Sequence, residues 1–174
     1  LASKILVLGA VTGLQATVFT TLSLLGRYSP DDPLVLPAGH LEILVAVLGV
    51  SFTTMLIGLA ISALIDNSDR GMPLLVLMVM AQLVCCGGLF PVHDRPVLEQ
   101  LAWLAPARWA FAMVASTTDM ATISSGPADP LWNHTATIWL ADAAILAGIA
   151  IALVAMIAHH LTRLDPQRRA GRSS

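Results

Sequence analysis

The chain has few charged residues and little that could serve catalysis in water. Lysine, arginine, aspartate and glutamate make up 11% of its 174 residues, against about 25% in a typical soluble domain. With a net charge of −2, no basic stripe exists to neutralise phosphates, and this excludes nucleic acid as the expected partner. The two cysteines, Cys85 and Cys86, are adjacent and form neither a CxxC pair nor a metal-site spacing.

Three signatures of active sites are also missing. The sequence contains no G-x-x-x-x-G-K-[ST], no H-E-x-x-H and no G-x-S-x-G, which excludes ATP binding through a P-loop and gives no support to a protease or esterase. His159 and His160 are adjacent. Neighbouring residues point about 100° apart on a helix, so this pair favours a cationic helix end over a metal site.

Long uncharged runs are what the sequence has instead. Four membrane-spanning helices are predicted, over residues 5–25, 43–65, 72–92 and 138–158, the last interrupted only by Asp142. A run of about 20 apolar residues, at about 1.5 Å per residue, crosses a hydrocarbon core of roughly 30 Å. The second and third runs have no polar face, which a soluble helix needs. The predicted fold class is therefore an all-α polytopic membrane protein that lies in the lipid bilayer.

Residues 93–137 form the long external loop of this scheme. Two stretches in it, 97–104 and 107–121, place apolar residues at helical intervals and are separated by Pro106. Both are too short to span, so we expect interfacial or re-entrant helices there. Residues 159–174 are a basic tail, and the whole chain is predicted to be a single transmembrane domain.

The charges and the aromatic residues predict the same orientation. Four spans place both termini on one side, which carries six of the nine basic residues (Lys4, Arg70, Arg163, Arg168, Arg169 and Arg172). The positive-inside rule assigns that side, with both termini, to the cytoplasm. All four tryptophans and the single tyrosine then fall at the outer interface, where amphipathic rings are favoured.

Two polar residues within the predicted spans are candidates for function. An acid inside a membrane is costly and by default a functional suspect, which singles out Asp142. It follows Ile138 by four residues, close to the outer interface, and this favours a solvated or hydrogen-bonded acid over a proton or cation relay. Gln82 lies near the middle of its span and either lines a cavity or bonds to a neighbouring helix.

Four blocks of the sequence, in order and spacing, resemble segments of one known family. They are residues 3–15 at the entry to a middle span, 58–67 at an inner hairpin turn, 86–91 at a span exit and 104–113 in the external loop. The last block carries the P-x-R-W segment as Pro106, Arg108 and Trp109. The chain thereby resembles the type-2 ABC transporter permeases, the group that includes the G-subfamily exporters.

The resemblance implies a permease of six spans, of which this chain supplies the last four; that it begins with Leu1 fits a fragment. It implies an ATP-driven exporter that works by alternating access, with no catalytic residue of its own and no cofactor bound by this chain. ATP and Mg are then expected on a fused or separate nucleotide-binding domain, and a second permease half, in a homodimer, is the other expected partner. The external loop lacks the cysteines of eukaryotic members, which favours a bacterial plasma membrane.

The resemblance also assigns roles to residues of the third predicted span. Carried over by position, Ala81, Val84 and Cys85 face the substrate path, to which Gln82 is added as the polar candidate. Leu89 and Phe90 would form an apolar gate beneath the external loop. Such a gate closes by excluding water. The alternative for both is simple contact with lipid.

Two other functions are weighed against the exporter. An ion-coupled carrier or channel subunit would use Asp142 and Gln82 along a conducting path. A membrane-embedded enzyme would combine Asp142 with the external histidines His40, His93 and His134, which show no ligand spacing.

Overall fold

The computed structural model describes residues 2–26, 30, 32–65, 68–89, 92–93, 95–123 and 129–163. These residues contain seven α-helices and one short 3-10 helix, with no strand among them. The helices are α1 (Ala2–Leu24), α2 (Gly39–Leu64), α3 (Ser68–Cys85), α4 (Pro96–Ala102), α5 (Pro106–Thr117), α6 (Met120–Ile123) and α7 (Ala136–Arg163), and the 3-10 helix is Pro130–Trp132. The all-helical fold class is thus confirmed.

Three helices of the described chain are long and apolar enough to cross a membrane. They comprise Ser3–Leu24 in α1, Gly39–Leu64 in α2 and Ala136–His160 in α7. Helix α2 is central, since α1, α5 and α7 all pack on it extensively. Helix α7 also packs on α5, so that α2, α5 and α7 form one three-helix unit.

The third predicted span, 72–92, is helical only as far as Cys85. Its apolar stretch, Gly71–Cys85, is shorter than the three helices that can cross by length and composition. The helix stops because Gly87 has a φ of +89°, a left-handed conformation that ends a helix and that glycine adopts without strain. The turn at Gly87 thus ends the helix instead of bending it.

The other boundaries move by smaller amounts. Helix α2 begins at Gly39, before the predicted residue 43, and therefore includes Glu42 in its first turn. The predicted external loop, 93–137, is largely helical, with α4, α5 and α6 inside it. Of these, α5 is not a surface helix, because nine of its twelve residues are buried.

Candidate functional site

Helix α5 is the centre of the candidate site and lies between α2 and α7. Its residues Trp109, Ala110 and Met113 form one apolar cluster with Ala46 of α2 and Leu146 of α7. Trp109 and Met113 are 2% and 1% exposed. In a membrane, where lipid is as apolar as leucine, such packing holds helices through van der Waals contact. A helix of twelve residues is about 18 Å long, shorter than a hydrocarbon core of roughly 30 Å, so α5 is too short to span a membrane by itself.

The loop motif predicted from the sequence forms the first turn of α5. Pro106 is the first helical residue, a position where the missing N–H costs nothing. Trp109 donates its Nε1–H to the carbonyl oxygen of Trp103 at 3.0 Å, and the two rings meet edge to face at 5.4 Å. Trp103 ends α4, so the motif joins α4 to α5.

Arg108, the third member of that motif, is a buried cation among acids. Its side chain is 3% exposed, and Nη2 lies 3.2 Å from Oδ2 of Asp129 and 4.0 Å from Oε1 of Glu99. Asp129 is itself buried and caps the 3-10 helix by accepting from the N–H of Leu131. The guanidinium thus ties α5 to α4 and to the segment that leads into α7.

Asp142 belongs to the same electrostatic neighbourhood. It is 1% exposed, so of the two expected states, solvated or hydrogen-bonded, burial rules out the solvated one in this chain. The charges of Asp129 and Arg108 both act on it, and its Oδ2 has no hydrogen-bond partner in the described part of the chain. Arg108 thus lies near two buried acids, Asp129 and Asp142, and pairs directly with Asp129.

The other end of α5 is held by Glu42, which is fully buried in the first turn of α2. One carboxylate oxygen, Oε1, accepts the backbone N–H groups of Val35 at 2.6 Å and Leu36 at 3.0 Å. The other, Oε2, accepts the hydroxyl of Thr117 at 2.9 Å. Charge-assisted bonds of this kind are stronger than neutral ones and make a buried carboxylate tolerable.

His134 adds a further contact at this end of α5. Its Nδ1 lies 2.7 Å from the carbonyl oxygen of Ser116, one of the last carbonyls of α5, which lack partners within the helix. Ser116 is fully buried. Both ends of α5 are therefore pinned by polar contacts, and its middle by apolar packing.

The four substrate-path candidates lie on one broad arc of α3, and burial divides them. Ala81 and Val84 are exposed. Gln82 and Cys85 are buried, where Cys85 packs against Val92 and the neighbours of α4. Ala81 and Cys85 are about 40° apart on the helix, so the boundary between exposed and buried side chains runs between them. Only Ala81 and Val84 are accessible to a substrate or a second copy in this single chain.

Of the two gate candidates, Leu89 is 64% exposed in the turn that follows α3. Phe90 lies outside the described residues. The turn reaches α5 at Gly88, where an added Cβ would lie 2.9 Å from the ring of Phe111. The Phe111 ring contacts Trp132 edge to face at 5.9 Å. The turn before Leu89 therefore rests against a fixed aromatic ring of α5.

Sequence reasoning missed Glu42, Thr117 and Asp129. A sequence signal could have identified Glu42 as a candidate, because it is the acid that immediately precedes a long uncharged run. Thr117 and Asp129 had none, because a threonine or an aspartate in a loop is ordinary and their partners are distant in sequence.

Two of the histidines considered for an enzyme site, His93 and His134, make separate contacts. Groups of three histidine, cysteine, aspartate or glutamate side chains that could hold a metal ion are absent from the part of the chain that the structure describes. His134 contacts the end of α5, whereas His93 lies 3.6 Å from Glu99, so these two histidines serve different contacts.

Comparison with known proteins gives a family and one relative. The family model described as "ABC-2 type transporter" matches residues 1–118. The ABC transporter ATP-binding/permease protein Rv1747 of Mycobacterium tuberculosis is 36% identical over 161 residues, which cover 90% of this chain and 19% of that protein. The chain thus spans about a fifth of that relative. No solved structure matches the chain.

Proposed function

The chain belongs to the ABC-2 type transporter family, and from that premise we propose that it is the membrane part of an ATP-driven exporter. Membership makes it a transporter permease. The relative's name joins an ATP-binding part to a permease, whereas this sequence contains no P-loop. That difference carries the proposal: ATP and Mg bind to a partner nucleotide-binding domain, fused or separate, and this chain supplies the path.

We propose alternating access between two copies of the chain, and the uneven packing of its helices supports this. Helices α2, α5 and α7 are closely packed, whereas α3 contacts the rest of the chain sparsely and exposes apolar side chains such as Leu77 and Met80. An apolar helix with few contacts in its own chain can move relative to a rigid unit. In the proposal, Ala81 and Val84 line the path between the copies, and Leu89 with Phe90 closes it.

In the proposed topology, both termini lie in the cytoplasm of a bacterium, and α3 crosses the plasma membrane together with the turn that follows it. The charge asymmetry supports this, and so does the exposed ring of Trp103 in the loop on the opposite side. The buried Arg108 does not count as a loop charge, because its guanidinium is paired inside the protein.

Thiol labelling in intact cells tests the orientation. In a background with Cys85→Ala and Cys86→Ala, an impermeant maleimide should label Ser125→Cys from outside and should reach Ser68→Cys only after permeabilisation. The reverse labelling pattern would invert the proposed topology. Equal labelling at both positions in intact cells would mean that α3 does not cross.

Nucleotide dependence tests the exporter itself. In inverted vesicles, the complete polypeptide with its nucleotide-binding domain should accumulate Nile red, an apolar dye, when ATP and Mg are supplied. The 174-residue chain alone should hydrolyse no ATP, because it lacks a P-loop. Hydrolysis by the isolated chain, or dye movement that is the same with and without ATP, would contradict the proposal.

A further inference from the structure

We propose that Glu42 is a positioning residue for transport: it fixes the end of α5 to the start of α2, and α5 in turn holds the turn after α3. The statement about transport rests on the proposed exporter function. The statement about position rests on the contacts alone.

The first step is the geometry of the Glu42 carboxylate. It accepts three donors from two different segments, the backbone N–H groups of Val35 and Leu36 and the hydroxyl of Thr117. Glu42 and Thr117 are 75 residues apart, and both side chains are at least 99% buried. The carboxylate therefore joins the loop before α2, α2 itself and the C-terminal end of α5 at one point.

The second step concerns what Thr117 could do without Glu42. Its hydroxyl oxygen also lies 3.0 Å from the carbonyl oxygen of Met113, within its own helix. A hydroxyl has one proton to donate, so loss of the carboxylate leaves Thr117 satisfied within α5. The two N–H groups of Val35 and Leu36 lose their acceptor, and α5 loses its bond to α2.

The third step links α5 to the proposed gate. Phe111, on the same helix, lies against Gly88, where an added Cβ would come within 2.9 Å of its ring. Leu89 is the next residue. A shift of α5 therefore moves the ring of Phe111, against which Gly88 lies. Because packed contacts transmit such shifts, Leu89 moves with Gly88.

Variants at Glu42 and Thr117 separate hydrogen bonding from charge. In Glu42→Gln, the amide oxygen can accept from Val35 and Leu36 while the amide N–H₂ donates to Thr117, whose proton turns to Met113. This variant should therefore preserve the connection. Glu42→Ala removes all three bonds to the carboxylate. Thr117→Val leaves the two backbone N–H groups bonded to the carboxylate and removes its bond to α5. Thr118→Val is the matched control, because the hydroxyl of Thr118 contacts only carbonyl oxygens of α5.

The experiment measures the distance between spin labels at Leu41→Cys on α2 and Ile123→Cys after α5, both exposed positions, in the complete polypeptide with Cys85→Ala and Cys86→Ala. Glu42→Ala and Thr117→Val should broaden or shift the distance distribution, while Glu42→Gln and Thr118→Val keep it.

ATP-driven uptake of Nile red into inverted vesicles should fall roughly tenfold in Glu42→Ala, as for the loss of a bond to a charged group, and should be retained by Glu42→Gln.

The spin-label distance and the dye uptake test two separate statements, one about the position of α5 and one about transport. An unchanged distance distribution in both Glu42→Ala and Thr117→Val overturns the positioning role, as does a disturbance in Thr118→Val equal to that in Thr117→Val. A changed distance with normal uptake overturns the link to transport. Absence of ATP-driven uptake by the unmodified protein counts against the exporter, while the distance measurement still decides the position of α5.

Discussion

We expect the Arg108→Ala variant to lose about 3–5 kcal/mol of folding free energy, the usual result of breaking a buried ion pair by removing one partner. Arg108 is 3% exposed and lies 3.2 Å from Asp129. Its charge also acts on Asp142. Removing the cation leaves the buried carboxylate of Asp129 without the charge that compensates it.

Unfolding of the purified protein in mixed micelles, followed by circular dichroism, measures this loss. Asp129→Asn is the matched control: it removes one acid but leaves Arg108 beside the charges of Asp142 and Glu99, so its loss should be clearly smaller. Arg108→Lys keeps the charge and should fall between the two. If Arg108→Ala unfolds no more readily than Asp129→Asn, the guanidinium does not hold this cluster together.

The gate proposal predicts the second large effect, at Leu89. Leu89→Ala removes three carbons from the proposed closure, and at about 0.8 kcal/mol per CH₂ this weakens the closed state by about 2 kcal/mol. Such a change shifts the balance of closed and open states roughly thirtyfold. We expect a leak of carboxyfluorescein, a charged dye that does not cross lipid unaided, from loaded proteoliposomes, and ATP hydrolysis that no longer responds to Nile red.

Leu104→Ala is the control for Leu89→Ala. Leu104 is also a leucine and is 76% exposed, but it lies in the turn between α4 and α5 and not in the turn that follows α3. This variant should behave as the unmodified protein. If Leu89→Ala also retains both the barrier to the dye and the response of ATP hydrolysis, Leu89 contacts lipid and the gate is rejected.

The sequence predicted the features that depend on composition and local spacing. Uncharged runs indicated helices in a membrane because any charge there is costly. Trp109 and Met113 at helical spacing indicated a short apolar helix in the external loop, and α5 is that helix. The P-x-R-W segment also indicated the family that the comparison confirms.

What the sequence could not predict depends on backbone conformation or on distant contacts. The left-handed φ of Gly87 ends α3 at Cys85, whereas a Gly–Gly pair alone is equally compatible with a bend. The bond between Glu42 and Thr117 crosses 75 residues, and no local pattern reports such a pairing. For the same reason, the sequence did not report that Ala81 is exposed and Cys85 buried.

The carboxylate at the start of α2 has a consequence for how the chain is made. Residue 117 is synthesised 75 residues after residue 42, which at roughly 5–20 residues per second takes about 4–15 s. During that interval α2 is already leaving the ribosome, and its acid still lacks the hydroxyl that completes its bonding. Two of its donors, the N–H groups of Val35 and Leu36, precede Glu42 in the chain, so the last bond to form is the one that docks α5 onto α2.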